Sequence, residues 1–211
     1  MKQVEKLKQL NNLSFFDTIA IAQVTSLNSE YLYEKISRWI ANDTLIQLKK
    51  GLYTTTTYYN NTPNKNTYAE FISNKLKYPS YLSLEYVLNK YQILTESVYT
   101  YTSITKKTPK VYSNDLGTFS YKNISEKLFT GFEISNKEGF DVATASKSKA
   151  LFDYLYLKLY RKTNISKETI DELRLNLDEF ESKDIQEFKK YCDMTKIQKF
   201  EKLPNIIFKK I

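Results

Sequence analysis

Val4, Leu7 and Leu10 recur at helical spacing at the head of the chain. Ser14 precedes the stretch 15–24, whose apolar face would include Phe16, Ile19 and Ala20, so Ser14 is the expected cap of a second helix. Residues 25–28 read as a short turn, and Ser29 is the expected cap of a third helix reaching Ala41. Its apolar stripe, Leu32, Ile36, Trp39 and Ile40, falls at i, i+4, i+7 and i+8 and covers one side only. Asn42-Asp43 breaks that helix. Leu45-Ile46-Gln47-Leu48 and Leu52-Tyr53-Thr54-Thr55 then read as two strands around Lys49-Lys50-Gly51, a tight turn where glycine supplies a positive φ. The threonine run 54–57 reads as strand continuing out of the hairpin, because its residues are β-branched.

The polar run 60–66, which holds Pro63, is the expected linker between an N-terminal unit, 1–62, and a second unit, 63–211. Beyond it Thr67 is the expected cap of a helix over 68–76, Tyr78-Pro79-Ser80 breaks it, and Ser83 starts another helix ending near Tyr91. Strand-like stretches follow at 98–104, 109–112, 118–121, 128–134 and 140–144, with turn signals at 114–117 and 136–139. Ser146 opens an amphipathic helix over 147–159 with Ala150, Leu151, Tyr154, Leu155 and Leu157 on its apolar side. Short helices are expected at 167–175, 183–192 and 196–202, with Pro204 stopping the last. The fold class predicted is therefore α+β: an N-terminal winged helix-turn-helix followed by a mixed α+β domain with C-terminal helices.

Composition narrows the chemistry. None of the 211 residues is histidine, which excludes Ser-His-Asp and Cys-His nucleophile systems and His-ligated metals. Cys192 is the single cysteine, so neither an intramolecular disulfide nor a cysteine zinc cluster can form, and a reducing cytoplasm is the expected compartment. With 4 glycines, no dinucleotide or phosphate loop motif occurs. No apolar run approaches the ~20 residues that span a bilayer, and Met1-Lys2-Gln3-Val4-Glu5-Lys6 is too polar for a signal-peptide core. The 18 tyrosines and 12 phenylalanines are too much aromatic surface for a disordered chain. The net charge of +8 points to polyanions. It is spread along the chain: residues 1–62 carry 7 basic and 5 acidic side chains, 63–130 carry 9 and 5, and 131–211 carry 16 and 14. Any cationic face must therefore be assembled by folding.

The order helix, helix, turn, helix, basic hairpin gives that assembly a form. If Leu32, Ile36, Trp39 and Ile40 face the core, then Tyr31, Lys35 and Arg38 share the opposite side, where they could meet phosphates and base edges in a major groove. Ser29 and the helix N-terminus offer donors to a phosphate, and Lys49 and Lys50 at the hairpin tip are the expected register-setting phosphate contacts.

Residues 18–53 resemble the N-terminal domain of AbiEi-type antitoxins of type IV toxin–antitoxin systems. The likeness lies in Ile36-Ser37-Arg38-Trp39-Ile40 and Gln47-Leu48-Lys49-Lys50-Gly51-Leu52-Tyr53. Pro79-Ser80-Tyr81-Leu82-Ser83-Leu84-Glu85 is similar to that family's PSY(I/L)SLE segment, and Ser103-Ile104-Thr105-Lys106-Lys107-Thr108 to its T(S/T)VT(T/K)(R/K) strand end. Gly117-Thr118-Phe119-Ser120-Tyr121 is similar to its G-x-F-x-Y hairpin, and the segment from Ala143 to Asp153 to its IA(T/S)PEKALLD segment. The resemblance covers roughly residues 14–180 and departs where Ser146-Lys147-Ser148 replaces small-Pro-Glu. It implies a DNA-binding antitoxin that represses its own operon in an abortive-infection, phage-defence setting. The implied partners are double-stranded operator DNA and a nucleotidyltransferase toxin, with no stable complex required. A homodimer on inverted repeats, no membrane, no cofactor and no catalysis complete the expectation.

Two other classes stand beside it. A winged helix can dock a protein partner without a specific DNA target. A metal-dependent nuclease would need carboxylates such as Glu85, Asp115, Glu133 and Asp141 to assemble. Ser146-x-x-Lys149 has the spacing of a Ser–Lys nucleophile pair but reads more simply as a capping serine and an exposed lysine. The many tyrosines resemble stacking platforms for bases, though most are expected in core and half-buried sheet faces. Cys192 is expected to be a packed thiol.

Overall fold

The computed structural model describes the backbone of residues 2–208 and, apart from Lys2 and Ser29, their side chains. The fold is α+β. Helix α1 (Lys2–Leu7) and a 3₁₀ turn (Lys8–Leu10) lead to strand β1 (Phe16–Asp17), helices α2 (Thr18–Thr25) and α3 (Ser29–Ala41), and the hairpin β2 (Leu45–Lys49) and β3 (Leu52–Thr55). The three strands form an antiparallel sheet in the order β1-β3-β2. Leu7, Phe16, Ile21, Leu32, Ile36 and Trp39 close a small core over it.

Asp17, rather than Ser14, caps α2: its Oδ1 accepts from the Ala20 N–H at 2.9 Å. Phe16 is thereby freed to pair with Tyr53. The shift turns Ile21 into the core and leaves Ile19 66% exposed, contrary to the face expected from Ser14 capping. Asn28 occupies the N-cap position of α3 with extended backbone. Ser29, the expected cap, is the first helical residue, and its side chain lies outside the described residues.

The expected linker is a folded junction. The strand ends at Thr55, whose Oγ1 accepts from the Tyr58 N–H at 3.0 Å and starts α4 (Thr56–Asn61). Asn64, not Thr67, caps α5 (Lys65–Leu76), accepting from the Thr67 N–H at 3.0 Å. Lys65 Nζ donates back to the carbonyls of Asn60 and Thr62 at 3.0 and 2.9 Å, which holds the two helices end to end.

The second sheet contains β4 (Ser80–Leu82), β5 (Thr100–Thr105), β6 (Lys110–Asn114), β7 (Gly117–Asn123), β8 (Phe132–Lys137) and β9 (Phe140–Ala145), in the order β6-β7-β5-β4-β9-β8. The pairs β5–β7 and β4–β9 are parallel and the others antiparallel. Strand β4 was not expected: three residues buried on both sides show no alternation to read. Helix α6 (Leu84–Lys90) follows it. Tyr81 pairs with Ile104, so the neighbouring Ser103 points to the opposite face. Ser103 shares a 2.9 Å hydrogen bond with Ser73 of α5, while Tyr81 donates at 3.0 Å to Asp153 of α7 (Lys147–Leu159). Helices α5 and α7 thus cover opposite faces. Helices α8 (Lys167–Asp171), α9 (Ser182–Met194), α10 (Gln198–Glu201) and α11 (Leu203–Ile207) complete the chain, with α9 packed on α7. The helix expected to stop before Pro204 does end there, α10 closing at Glu201, and Pro204 lies in the first turn of α11, where a missing N–H costs no intrahelical bond. No helix among the described residues is long and apolar enough to cross a membrane.

The hairpin belongs to both units, since Ile46 and Leu48 join the larger core. That core also buries a charge. The Glu70 carboxylate is 1% exposed. It accepts from Tyr86 Oη at 2.6 Å and from Lys137 Nζ at 3.1 Å, and it is ion-paired with Lys90. Burial alone would raise its pKa, but the bonds from Lys90 and Tyr86 and the two lysine charges outweigh that and hold it below the usual carboxylate value. A carboxylate depressed on folding stabilises the protein above its unfolded pKa of about 4.3, and the benefit fades as pH falls through the folded value. Glu70→Gln is therefore expected to cost about 2 kcal/mol in urea unfolding at pH 7. The gap from the wild type should shrink steadily below about pH 4.

Candidate nucleic-acid interface

Helix α3 turns Leu32, Ile36 and Trp39 inward, as their spacing predicts. Tyr31 is 56% exposed on the other side, Lys35 is half-buried at the helix flank, and the Arg38 side chain is 63% exposed. Arg38 is paired one turn back with Glu34 at 2.5 Å. An exposed pair of this kind contributes at most about 1 kcal/mol, so the guanidinium can exchange onto another anion at small cost. Tyr33, which the helical reading passed over, is as exposed as Tyr31. Glu30 and Glu34 offset Lys35 and Arg38, so α3 carries shape and hydrogen-bonding groups but little field of its own.

The hairpin supplies the field. Lys49 pairs with Leu52 across the strands, which leaves Lys50-Gly51 as the loop, with Gly51 at φ +82°. Lys50 is exposed. Lys49 is not free at the tip: its Nζ donates at 2.6 Å to the carbonyl of Leu76, the last residue of α5, where the helix dipole favours a cation. Burial pushes the Lys49 ammonium below its usual pKa, and the nearby charges of Lys107 and Lys77 add to that. On the other flank Asn114 Nδ2 donates to the Leu48 carbonyl at 2.7 Å. Lys49 is therefore a brace between hairpin and body, rather than the solvent-facing contact its place in the turn implies.

Lys77 and Lys107 come with the brace. Each follows a different element, α5 and β5, and folding brings both within electrostatic reach of Lys49. With Lys50 they give the hairpin end a cationic character that no single segment has. Nothing local in the sequence marks them, because the three segments are far apart along the chain. The two hairpin lysines should thus separate experimentally. If the hairpin end meets DNA, Lys50→Ala is expected to reduce the salt slope of binding by about 0.9, and in any case to leave stability within about 0.5 kcal/mol. Lys49→Ala is expected to lower the unfolding midpoint by an amount equivalent to about 1–2 kcal/mol, since a buried carbonyl loses its charged donor. Gel-shift salt titrations and chemical denaturation read the two effects.

The remaining candidates take structural places. Glu85, Asp115, Glu133 and Asp141 are not gathered: among the described residues no group of three or more acidic or cysteine side chains could hold a metal ion. Ser146 caps α7 as expected, accepting from the Lys149 N–H at 3.1 Å and donating to Glu187 at 2.8 Å. Lys149, expected to be exposed, is fully buried, because Asp153 one turn on provides an anion beneath it. Cys192 is fully buried and burial pushes its thiol pKa up, away from the reactive thiolate. Compared with known proteins, the chain matches no family model and no curated protein.

Proposed function

We propose that the chain is a DNA-binding antitoxin of the AbiEi type that represses its own operon and has no catalytic role. In this reading residues 2–55 act as a winged helix-turn-helix, α3 enters the major groove, and the hairpin end lies on the flanking backbone. The observation that supports it most is α3 itself. It follows α2 after a turn at residues 26–28, buries Trp39 and Ile36, leaves Tyr31 and Arg38 exposed with Lys35 half-buried at its flank, and runs into a hairpin edged with lysines. Tyr31 and Arg38 then discriminate bases, while Lys50, Lys77 and Lys107 fix the protein on phosphates. The partner in this reading is a nucleotidyltransferase toxin encoded alongside, opposed without a lasting complex, in the cytoplasm.

A gel shift on the DNA upstream of the protein's own gene, at two salt concentrations, tests the proposal. A shift that survives competitor DNA and weakens steeply with salt supports it. Salt-insensitive or absent binding, together with a tight complex with a protein partner, refutes it. Arg38→Ala is expected to cost about 1–3 kcal/mol of discrimination between the operator and a single-base variant, with binding to random duplex nearly unchanged. Paired titrations of both duplexes give that number directly.

A further inference from the structure

A cleft of about 750 Å³ opens between the end of α7, the end of β7 and the start of α6. Its walls carry cations that form no ion pair among the described residues. Lys122 of β7 and Arg161, just beyond α7, have no ion pair or side-chain hydrogen bond among the described residues. Lys158 Nζ donates at 2.7 Å to the Tyr154 hydroxyl, a neutral partner. The carbonyl end of α7 would repel an anion, but Lys199 covers it, donating to the carbonyls of Tyr160 and Lys162, both at 2.6 Å.

The same walls are aromatic. Tyr160 is half exposed, and its ring centroid lies 5.2 Å from that of Tyr156. Tyr156 is in turn held between Phe152 and Phe200, at 5.5 and 5.1 Å. Lys199 Nζ lies over the Tyr160 ring, 5.7 Å from its centroid, and the part of the ring left exposed, backed by a packed aromatic row, is a platform on which a base can stack. Glu85 is the one carboxylate on the wall, and it too has no partner among the described residues. Three cations against one carboxylate leave a surplus of two positive charges, which a phosphate monoester of about −2 would balance.

We propose that this cleft binds a mononucleotide, with the phosphate between Lys122 and Arg161, the base on Tyr160, and a ribose hydroxyl or exocyclic amine donating to Glu85. A volume within the ~300–1,000 Å³ usual for small ligands suits one nucleotide, not a strand. The cleft adjoins the hairpin-end surface at Lys107, whose carbonyl accepts from Asn123 of the cleft wall at 3.1 Å, but the proposal does not depend on that surface binding DNA.

Calorimetric titration of the full chain with AMP, GMP, CMP and UMP, alongside adenosine and inorganic phosphate, tests it. At least one nucleotide should saturate with a Kd of about 10–100 μM. Nucleoside and phosphate alone should each bind at least roughly tenfold more weakly. The double variant K122A/R161A and, separately, Tyr160→Ala should each weaken that nucleotide about tenfold or more. Their unfolding midpoints and duplex gel shifts should stay at wild-type values. Absence of saturation by about 5 mM for all four nucleotides overturns the proposal. So does unchanged affinity in either variant. Loss of duplex binding in K122A/R161A also overturns it, by making the cleft part of a DNA surface.

Discussion

Asp153→Ala is expected to destabilise the protein by about 3–5 kcal/mol in urea unfolding at pH 7, a large share of a typical domain's stability. Asp153 is fully buried in α7 and ion-paired with Lys149, which is fully buried as well. Its second oxygen accepts from Ser83 at 2.8 Å and from Tyr81 at 3.0 Å, so one carboxylate ties α7 to β4 and to the cap of α6. Burial pushes the Lys149 pKa down and the Asp153 pKa up, because each ion is stripped of water and sustained chiefly by the other. Removing the carboxylate strands a cation and two hydroxyls together. Replacing both partners with apolar residues of similar size, K149M/D153L, should recover much of the loss. That recovery separates a penalty for unpaired charge from simple loss of packing. The pair is also where a motif that reads as a helix start turns out to be a core junction.

The second large effect concerns salt. In the DNA-binding reading proposed above, replacing Lys50, Lys77 and Lys107 together with alanine is expected to lower the slope of log K against log salt by about 2.7, three phosphate contacts at about 0.9 each. Between 50 and 200 mM salt the wild type should then lose roughly 40-fold more affinity than the variant. Discrimination between operator and variant duplexes should stay the same, because phosphate contacts position the protein without reading sequence. A variant with wild-type slope would remove the hairpin end from the interface and leave α3 alone to account for any binding.

Strong local periodicity made part of this protein legible. The α3 stripe, the hairpin with its glycine turn and the α7 start at Ser146 all follow from spacing and capping chemistry within a few residues. What escaped was decided by distant partners. Phe16 leaves helix α2 because Tyr53 offers it a strand. Ser80–Leu82 becomes a strand because β5 and β9 flank it, although three residues carry no period. Lys149 reads as a surface residue until Asp153, Tyr81 and Tyr191 close around it. At the candidate interface, Tyr31 and Arg38 could be chosen from the helical wheel. Lys77 and Lys107 could not, and the turn alone reads Lys49 as a phosphate contact because its acceptor, Leu76, sits at the end of another helix.

The hairpin bonded on both flanks has a mechanical consequence. With Leu48 tied to Asn114 and Lys49 to Leu76, it cannot swing independently of the body. Two copies that meet through their bodies would hold their α3 helices at one fixed separation, like the jaws of a caliper. The distance between half-sites would then be dictated by the shape of residues 65–208 and not by the short junction before them, so a base pair inserted at the operator's centre could be accommodated only by twisting or bending the DNA.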